Sequence, residues 1–274
     1  MSSRSAWLLL APLLLFMMLF VGQGMFRAVQ ESLAFGGAEG MLVHYETLFA
    51  SRSFWAAAGV SVYVALVSSI VSLVIGLVIT RTFVRVFAVD TWKLAAWFPM
   101  LIPHFVAAYL VLLFFAPAGW AASVLGTMLP PFVQSSAYTG VILTYIWKEV
   151  PFVILMLLPV YQELDWRMAE VSRSLGAGRF QTFRHAEWPH AGPVAVETAL
   201  IMFIFILGAF EIPGLLGVTY PAMLPVLAFD WFYQSGWSER PLAQAMMVLV
   251  TAVSLVLAAL VLSWVRRGRR RSYA

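Results

Sequence analysis

The side chains that could do acid–base, nucleophilic or metal chemistry are few and scattered in this 274-residue sequence. It has no cysteine, which excludes a disulfide framework, thiolate metal ligands and a cysteine nucleophile. Its four histidines form no H-E-x-x-H pair, and no G-x-S-x-G elbow is present. Both lysines follow a tryptophan, so the G-K-[ST] of a phosphate-binding P-loop is missing. We therefore predict no metal, no cofactor, no ATP site and no enzymatic activity in this chain.

Charged residues inside long apolar runs are a more informative group. Ionisable groups within a membrane span are costly, and they tend to face the interior of a helix bundle or a water-filled cavity. Lys148 and Glu149 are adjacent, so they point to different faces of a helix and each needs its own partner or water. Glu211 lies in GAFEIPGLLG (208–217), where Pro213 and the glycines weaken the helix. Since broken helices line substrate sites in transporters, these four residues are candidates for a translocation path. For Glu211 the alternative is a structural carboxylate at an interface with a second subunit.

One polar stretch, AEVSRSLGAGRFQTFRHAEWP, interrupts the apolar sequence. Just before it, Asp165 can cap a helix, because its carboxylate accepts hydrogen bonds from backbone N–H groups that lack partners. Met168, Val171 and Leu175 follow at i, i+3 and i+7 and form one apolar stripe. Gly176 stands where a left-handed residue is expected after a helix. The pattern predicts a short amphipathic helix that ends at this glycine.

A second helix is predicted over Arg179–Trp188, after the turn Ala177-Gly178. Phe180 and Phe183 would share one face of it, and Pro189 would end it by removing a backbone donor. The two helices form a helix–turn–helix finger, defined here as residues 165–189. Its mixed apolar and cationic surface suits the docking of a soluble partner. The alternative is that the finger packs against its own bundle.

Six apolar runs frame these residues. The sequence is 62% hydrophobic and only 11% charged, whereas a soluble domain is about half apolar and about a quarter charged. We therefore predict an all-α membrane protein with six transmembrane helices, each needing roughly 20 apolar residues. The predicted spans are 6–26, 54–79, 94–116, 137–160, 194–217 and 242–265. The first resembles a signal peptide, but its length and the lack of an A-x-A site favour a retained span.

Basic residues indicate the orientation of these spans. Arginine and lysine are concentrated near the C-terminus and in the segments after the second and fourth spans, and Arg4 lies near the N-terminus. The segments on the other side carry only Arg27, Arg52 and Arg240. By the positive-inside rule, both termini are cytoplasmic. The same rule places the loop 161–192, which contains the finger, in the cytoplasm between spans four and five.

The finger resembles a known sequence motif. Glu170-Val171-Ser172, three residues, Gly176, and then Pro189 thirteen residues later is similar to the "EAA" loop. That cytoplasmic loop marks the permease subunits of binding-protein-dependent ATP-binding-cassette importers. The departures from the motif are Val171 and Ser172 for two alanines, Ala186 for a larger aliphatic residue and Trp188 for leucine. We expect these departures to alter the fit against a partner without abolishing docking.

The resemblance implies a type I importer permease fold, forming a single permease domain over 1–274 in a bacterial inner membrane. It implies two cytoplasmic ATPase subunits, a second permease subunit and a periplasmic or lipid-anchored solute-binding protein as partners, besides membrane lipid and without nucleic acid. The second permease is expected to be a paralogue, with an identical copy as the alternative. Glu170 would supply a polar contact or cap, the alternative being a solvated charge. The implied ATPase-coupling residues are Asp165, Glu170, Ser172, Gly176, Arg179, Phe180 and Pro189.

The cargo is harder to read from the sequence. The GAFEIP…LPVL region is similar to permeases of the polyamine, ferric-ion, thiamine and phosphonate group over a short stretch. Glu149 and Glu211 would suit a cation, whereas Lys148 opposes a simple acidic tunnel. We expect a polyamine-like or another small charged solute. An ion-gradient-driven secondary transporter is the main rival, but the two halves of the chain show no inverted repeat. An intramembrane enzyme would need clustered acid, base or metal groups.

Overall fold

The computed structural model describes residues 3–33, 40–86, 92–125 and 132–272, and within those ranges the regular structure is helical. Six helices of the described chain are long and apolar enough to cross a membrane. This confirms the prediction of an all-α, six-span membrane protein. The spans are Leu10–Ser32, Arg52–Val86, His104–Val124, Thr139–Glu163, Arg179–Gly208 and Arg240–Arg267.

The contacts of the chain group it into two compact units. The first unit comprises Met1–Trp55 and Leu224–Val253. A hydrogen bond from Gln244 Nε2 to Glu31 Oε2, 3.3 Å long, joins its two chain segments. The single permease domain remains a prediction. The helices of the first unit are α1 (Ser3–Met17), α2 (Gln23–Ser32), α3 (Val43–Ala50), α13 (Leu224–Tyr233) and the first half of α14 (Arg240–Ser272).

The second unit, Ala56–Met223 with Ser254–Ala274, contains the finger and the in-membrane charges. Its helices are α4 (Arg52–Val86), α5 (Trp92–Leu101), α6 (His104–Phe115), α7 (Trp120–Leu125), α8 (Thr139–Glu163), α9 (Trp166–Ser174), α10 (Arg179–Thr182), α11 (Trp188–Gly208) and α12 (Glu211–Leu216). The central element is α8, which packs on α5 and α11, while α12 packs on α6 and α8.

Small residues let these helices approach closely. A Cβ added at Gly76 of α4 would lie 2.5 Å from Val153 Cβ of α8, so only glycine fits there. In a membrane, helices associate through such close van der Waals packing, because lipid offers no hydrophobic drive between them. Toward the C-terminal end of α8, Leu157 and Tyr161 pack with Ala191 and Ala195 of α11 in a buried core. That core supports the end of α8 from which the finger begins.

Two of the predicted spans are interrupted. The third, predicted over 94–116, breaks between Leu101, where α5 ends, and His104, where α6 begins. Pro103 explains the break, because a proline disfavours helical backbone in the residue before it and has no N–H to donate. In the fifth span α11 ends at Gly208 and α12 begins at Glu211, after the extended residue Ala209. The predicted weakness of this region is confirmed, although the break precedes Pro213.

Candidate functional site

The first helix of the finger, α9, begins as the sequence predicts. Asp165 is its N-cap, and its carboxylate oxygen accepts a 3.0 Å hydrogen bond from the backbone N–H of Arg167. Such a cap contributes about 1 kcal/mol to a helix that would otherwise begin with unpaired donors. The start of α9 is therefore fixed by a local contact.

The end of α9 is a sharp turn at Gly176, whose φ is +87°. The Gly176 N–H donates to Arg173 O over 2.9 Å, and the Ala177 N–H donates to Ser172 O over 3.1 Å. This pair of bonds is the Schellman motif, which satisfies carbonyls that a helix end leaves without donors. Ser172 thus acts through its backbone carbonyl, and the predicted left-handed glycine is confirmed.

The second arm of the finger differs from the prediction at Pro189. Helix α10 is followed by a π-helical segment, Phe183–Glu187, and then directly by α11, so that Arg179–Gly208 is one continuous helical span. Pro189 is in the first turn of α11, directly after the π-helical segment, and the fixed φ of proline suits the helix there. The prediction that Pro189 ends the second helix is wrong. The second arm runs without interruption into the fifth span.

The outward face of the finger is apolar and unburied. Met168 is 55% exposed, Val171 59%, Leu175 84% and Phe180 72%. Contiguous exposed apolar side chains on an otherwise polar segment mark interaction sites. Glu170 is also exposed, and its carboxylate has no ion pair or hydrogen bond within the described ranges. The chain itself leaves the predicted docking stripe uncovered.

The inward face of the finger is tied to α4 by an ion pair that the sequence analysis did not find. Arg81 Nε lies 2.5 Å from Glu187 Oε2, and one terminal nitrogen of Arg81 lies 2.7 Å from Glu187 Oε1. Bidentate pairs of this kind are stronger and more directional than single hydrogen bonds. The Glu187 side chain is 0% exposed, so Arg81 supplies the counter-charge for a buried carboxylate.

Aromatic contacts extend this attachment. The Arg85 guanidinium lies 4.9 Å from the centre of the Trp166 ring, at the start of α9. Trp166 in turn stacks on Tyr161 of α8, with 6.1 Å between ring centres. Arg81 also lies over Phe183, 5.8 Å from its centre. The finger is therefore anchored to the second and fourth spans and is continuous with the fifth.

Lys148, a candidate path residue, is hydrogen-bonded within the chain. Its Nζ donates to Pro99 O and to Ile102 O, both over 2.5 Å. These carbonyls are at the broken end of α5, where a helix leaves acceptors without donors and its dipole favours a cation. Lys148 is nearly fully buried, so the structure gives it a capping role at the break in the third span.

Glu149 points elsewhere, as its adjacency to Lys148 predicts. Its Oε1 lies 3.7 Å from Nε2 of His104, the first residue of α6. Glu211 is exposed at the start of α12, whereas Pro213 is buried. Among the four candidate path residues, Glu211 is thus the one that presents a charge on the surface of this chain. The described residues contain no cluster of metal-ligating side chains.

Comparison with known proteins gives a consistent result. A family model described as "Binding-protein-dependent transport system inner membrane component" matches residues 72–271. The sulfate transport system permease protein CysT of Synechocystis is 26% identical over 174 residues, which cover 62% of this chain and 59% of that protein. A probable ABC transporter permease protein of Sinorhizobium fredii is 25% identical, covering 81% of this chain and 72% of that protein.

A solved structure supports the fold. The crystal structure of a bacterial ABC transporter involved in the import of the acidic polysaccharide alginate superposes with a TM-score of 0.78. The match covers 96% of each chain at 21% sequence identity. The fold of this chain thus has a counterpart in that solved structure.

Proposed function

The chain belongs to the family of binding-protein-dependent transport system inner membrane components, and from this we propose that it is a permease subunit of an ATP-driven solute importer. The observation that carries the proposal is the finger, whose apolar stripe is exposed while its opposite face is anchored to the bundle. Membership of this family argues against a gradient-driven transporter. Such a transporter would also leave the finger without a role.

The proposed partners follow from what this chain lacks. Its sequence contains no P-loop, so two ATPase subunits would supply the energy by binding the fingers of two permease subunits. Six helices leave little room for an alternating cavity, which favours a pathway shared with a second permease subunit. We propose a paralogue as that second subunit, with an identical copy as the alternative. A solute-binding protein would deliver the cargo to the permease on the side of the membrane away from the fingers.

Transmission would be mechanical. A partner bound to the stripe moves α9, and the Schellman turn joins α9 to the second arm. Because that arm is continuous with α11, its movement reaches the fifth span without a flexible linker. The Arg81–Glu187 pair and the Arg85–Trp166 contact join the finger to α4, so the second span would move with it. Rigid-body rocking of this kind would open the pathway alternately to the two sides.

Site-directed crosslinking tests the coupling role, because the chain has no native cysteine. Single cysteines at Leu175 and at Phe180, on the exposed stripe, should capture a P-loop ATPase subunit in the native membrane. Capture should change when ATP is added, since closure of the ATPase pair moves the finger. A cysteine at Gln162, exposed on α8 outside the finger, is the matched control. Absence of an ATPase at both stripe positions, in protein that reaches the membrane, would refute the docking role.

For the cargo we propose a small charged solute, with a sulfate-like oxyanion as the first candidate because of the Synechocystis relative. The polyamine-like alternative rests on the carboxylates of Glu211 and Glu149. Lys148 offers an oxyanion little, because its ammonium group is committed to the carbonyls of Pro99 and Ile102. The sign of the charge at Glu211 can therefore separate the two cargo classes.

The substitution Glu211→Gln is expected to change solute-stimulated ATP hydrolysis by about tenfold or more. Removing one charge 4–8 Å from a charged solute changes the interaction by about 2–4 kcal/mol at an effective dielectric constant of about 20. Stimulation should rise for an oxyanion and fall for a polyamine, measured in the reconstituted complex with its binding protein. Glu211→Asp, which keeps the charge, is the control. Failure of the complex to assemble would show that Glu211 is structural instead.

A further inference from the structure

A cavity of about 500 Å³ opens between the end of α4 and the finger. It is lined by Arg81, Arg85, Arg173, Ala177 and Arg179. Its volume is within the range of small-ligand pockets, which is roughly 300–1,000 Å³. The coupling role involves Arg179, but neither that role nor the candidate path explains why four guanidinium groups surround one concave space.

The charges of this cavity are not balanced from within. Arg81 is paired with the buried Glu187, but Arg85, Arg173 and Arg179 have no carboxylate within ion-pair distance in the part of the chain that the structure describes. Like charges gathered in a concave site repel one another, and low-dielectric walls focus their field. A bound anion would relieve this repulsion, and a guanidinium fork matches the oxygens of a phosphate.

The approach to the cavity is apolar. Val74 and Val78 on α4 are both more than half exposed. Together with Arg81 and Arg85 they fall at i, i+4, i+7 and i+11, which is one face of the helix. An exposed aliphatic stripe inside a membrane span therefore leads directly to two of the lining arginines. A cationic headgroup site at the end of a lipid-facing stripe is the arrangement that an anionic phospholipid fits.

We propose that this cavity binds the headgroup phosphate of an anionic phospholipid, with an acyl chain along Val74 and Val78. Basic pockets at the ends of membrane helices recognise lipid headgroups in this manner. The bound phosphate would bridge α4, through Arg85, to the finger, through Arg173 and Arg179. The lipid would then hold the finger at its place on the bundle, in addition to the protein contacts described above.

An acidic surface of a partner ATPase is the competing occupant. The stripe argues for lipid, because Val74 and Val78 lie within the membrane span, where a soluble partner does not reach. The two occupants predict different losses when the lining arginines are removed, so one set of variants distinguishes them.

The test uses the full chain in nanodiscs containing equal amounts of phosphatidylglycerol and phosphatidylcholine. After mild extraction, native mass spectrometry measures which lipid stays bound. The wild-type chain should retain phosphatidylglycerol selectively. The double variant Arg173→Gln, Arg179→Gln should lose this selectivity about tenfold or more, because two charge-assisted bonds to phosphate disappear. Both arginines are exposed and have no internal carboxylate partner among the described residues, so the fold should persist.

The matched control is Arg167→Gln with Arg184→Gln, which removes the same charge from the finger outside the cavity and should change retention less than about twofold. Val74→Ser with Val78→Ser should weaken retention of phosphatidylglycerol, because the acyl chain loses its apolar contact. Inorganic phosphate has no acyl chain, so it should displace the lipid from this variant at least as readily as from the wild-type chain. Equal retention in all variants would overturn the proposal. So would retention of phosphatidylglycerol that the valine changes leave unaltered, which would indicate a phosphate site without an acyl-chain contact, or loss of ATPase capture with lipid retention intact in the Arg173 and Arg179 variant.

Discussion

Replacing Arg81 with glutamine is expected to destabilise the chain by about 3 kcal/mol, the lower end of the cost of breaking a buried ion pair, because the Arg81 side chain is itself 29% exposed. The Glu187 carboxylate would remain fully buried without its cation. It can escape only by taking up a proton or by moving into water, and moving would pull the π-helical segment off α4. The thermal midpoint of the purified chain and the protease sensitivity of the finger measure the loss.

Two further variants show whether the charge itself is responsible. Arg85→Gln, one turn along α4, removes a cation–π contact with Trp166, for which about 0.5–1 kcal/mol is expected. Arg81→Gln with Glu187→Gln removes both charges and leaves two amides that can hydrogen bond, so much of the stability should return. If Arg81→Gln melted at the same temperature as Arg85→Gln, the pair would not anchor the finger.

The parts of the finger that could be predicted from sequence are held by local contacts. The Asp165 cap spans two residues, and the Schellman bonds at Gly176 reach back three and five residues. Both depend on residue types that few alternatives can replace at those positions. Local chemistry of this kind is legible in a single sequence.

The anchors could not be predicted in the same way. Arg81 and Glu187 are 106 residues apart, and nothing in either neighbourhood specifies the partner. The spacing of Arg81 and Arg85 at the end of an apolar run reads equally well as positive-inside residues. The motif specifies no residue type at the position of Glu187, so only the structure shows that this side chain is buried.

Proline accounts for the two differences in helix boundaries. Pro189 was expected to end a helix, yet a proline is equally at home in the first turn of one. Pro103 interrupts a run whose hydropathy is continuous, and apolar composition does not reveal such a break. The carbonyls freed at that break are the partners of Lys148, which explains why its role could not be deduced from charge alone.

These features give the finger two different surfaces. The face toward the bundle is fixed by the ion pair and the Trp166 contacts, while the stripe ending at Leu175 is exposed. A segment that only filled space on the bundle would bury its apolar residues first. The finger is thus fixed to the bundle on one side and exposed on the other. The direction of its exposed stripe depends most on the turn at Gly176, which joins its two arms.

Gly176→Pro is accordingly expected to abolish ATP-driven uptake while the chain still reaches the membrane. The position requires a φ of +87° and a donated N–H to Arg173 O. Proline fixes φ near −65° and has no N–H, so both bonds of the Schellman turn would be lost. Since α9 would then leave the turn in another direction, the stripe would no longer face its partner. Uptake in proteoliposomes and surface-exposed labelling of the chain measure the two effects separately.

Gly176→Ala is the control that separates the turn from the space around it. A Cβ at this position meets no atom within 4 Å, so alanine costs only the left-handed conformation, about 1–2 kcal/mol. It keeps the N–H and the turn, and uptake should fall modestly. Glu170→Lys tests the stripe instead of the turn, because it reverses an exposed charge beside Val171 without touching the backbone. Full uptake in the proline variant would mean that ATPase movement does not pass through this turn, and the coupling element would have to be sought elsewhere.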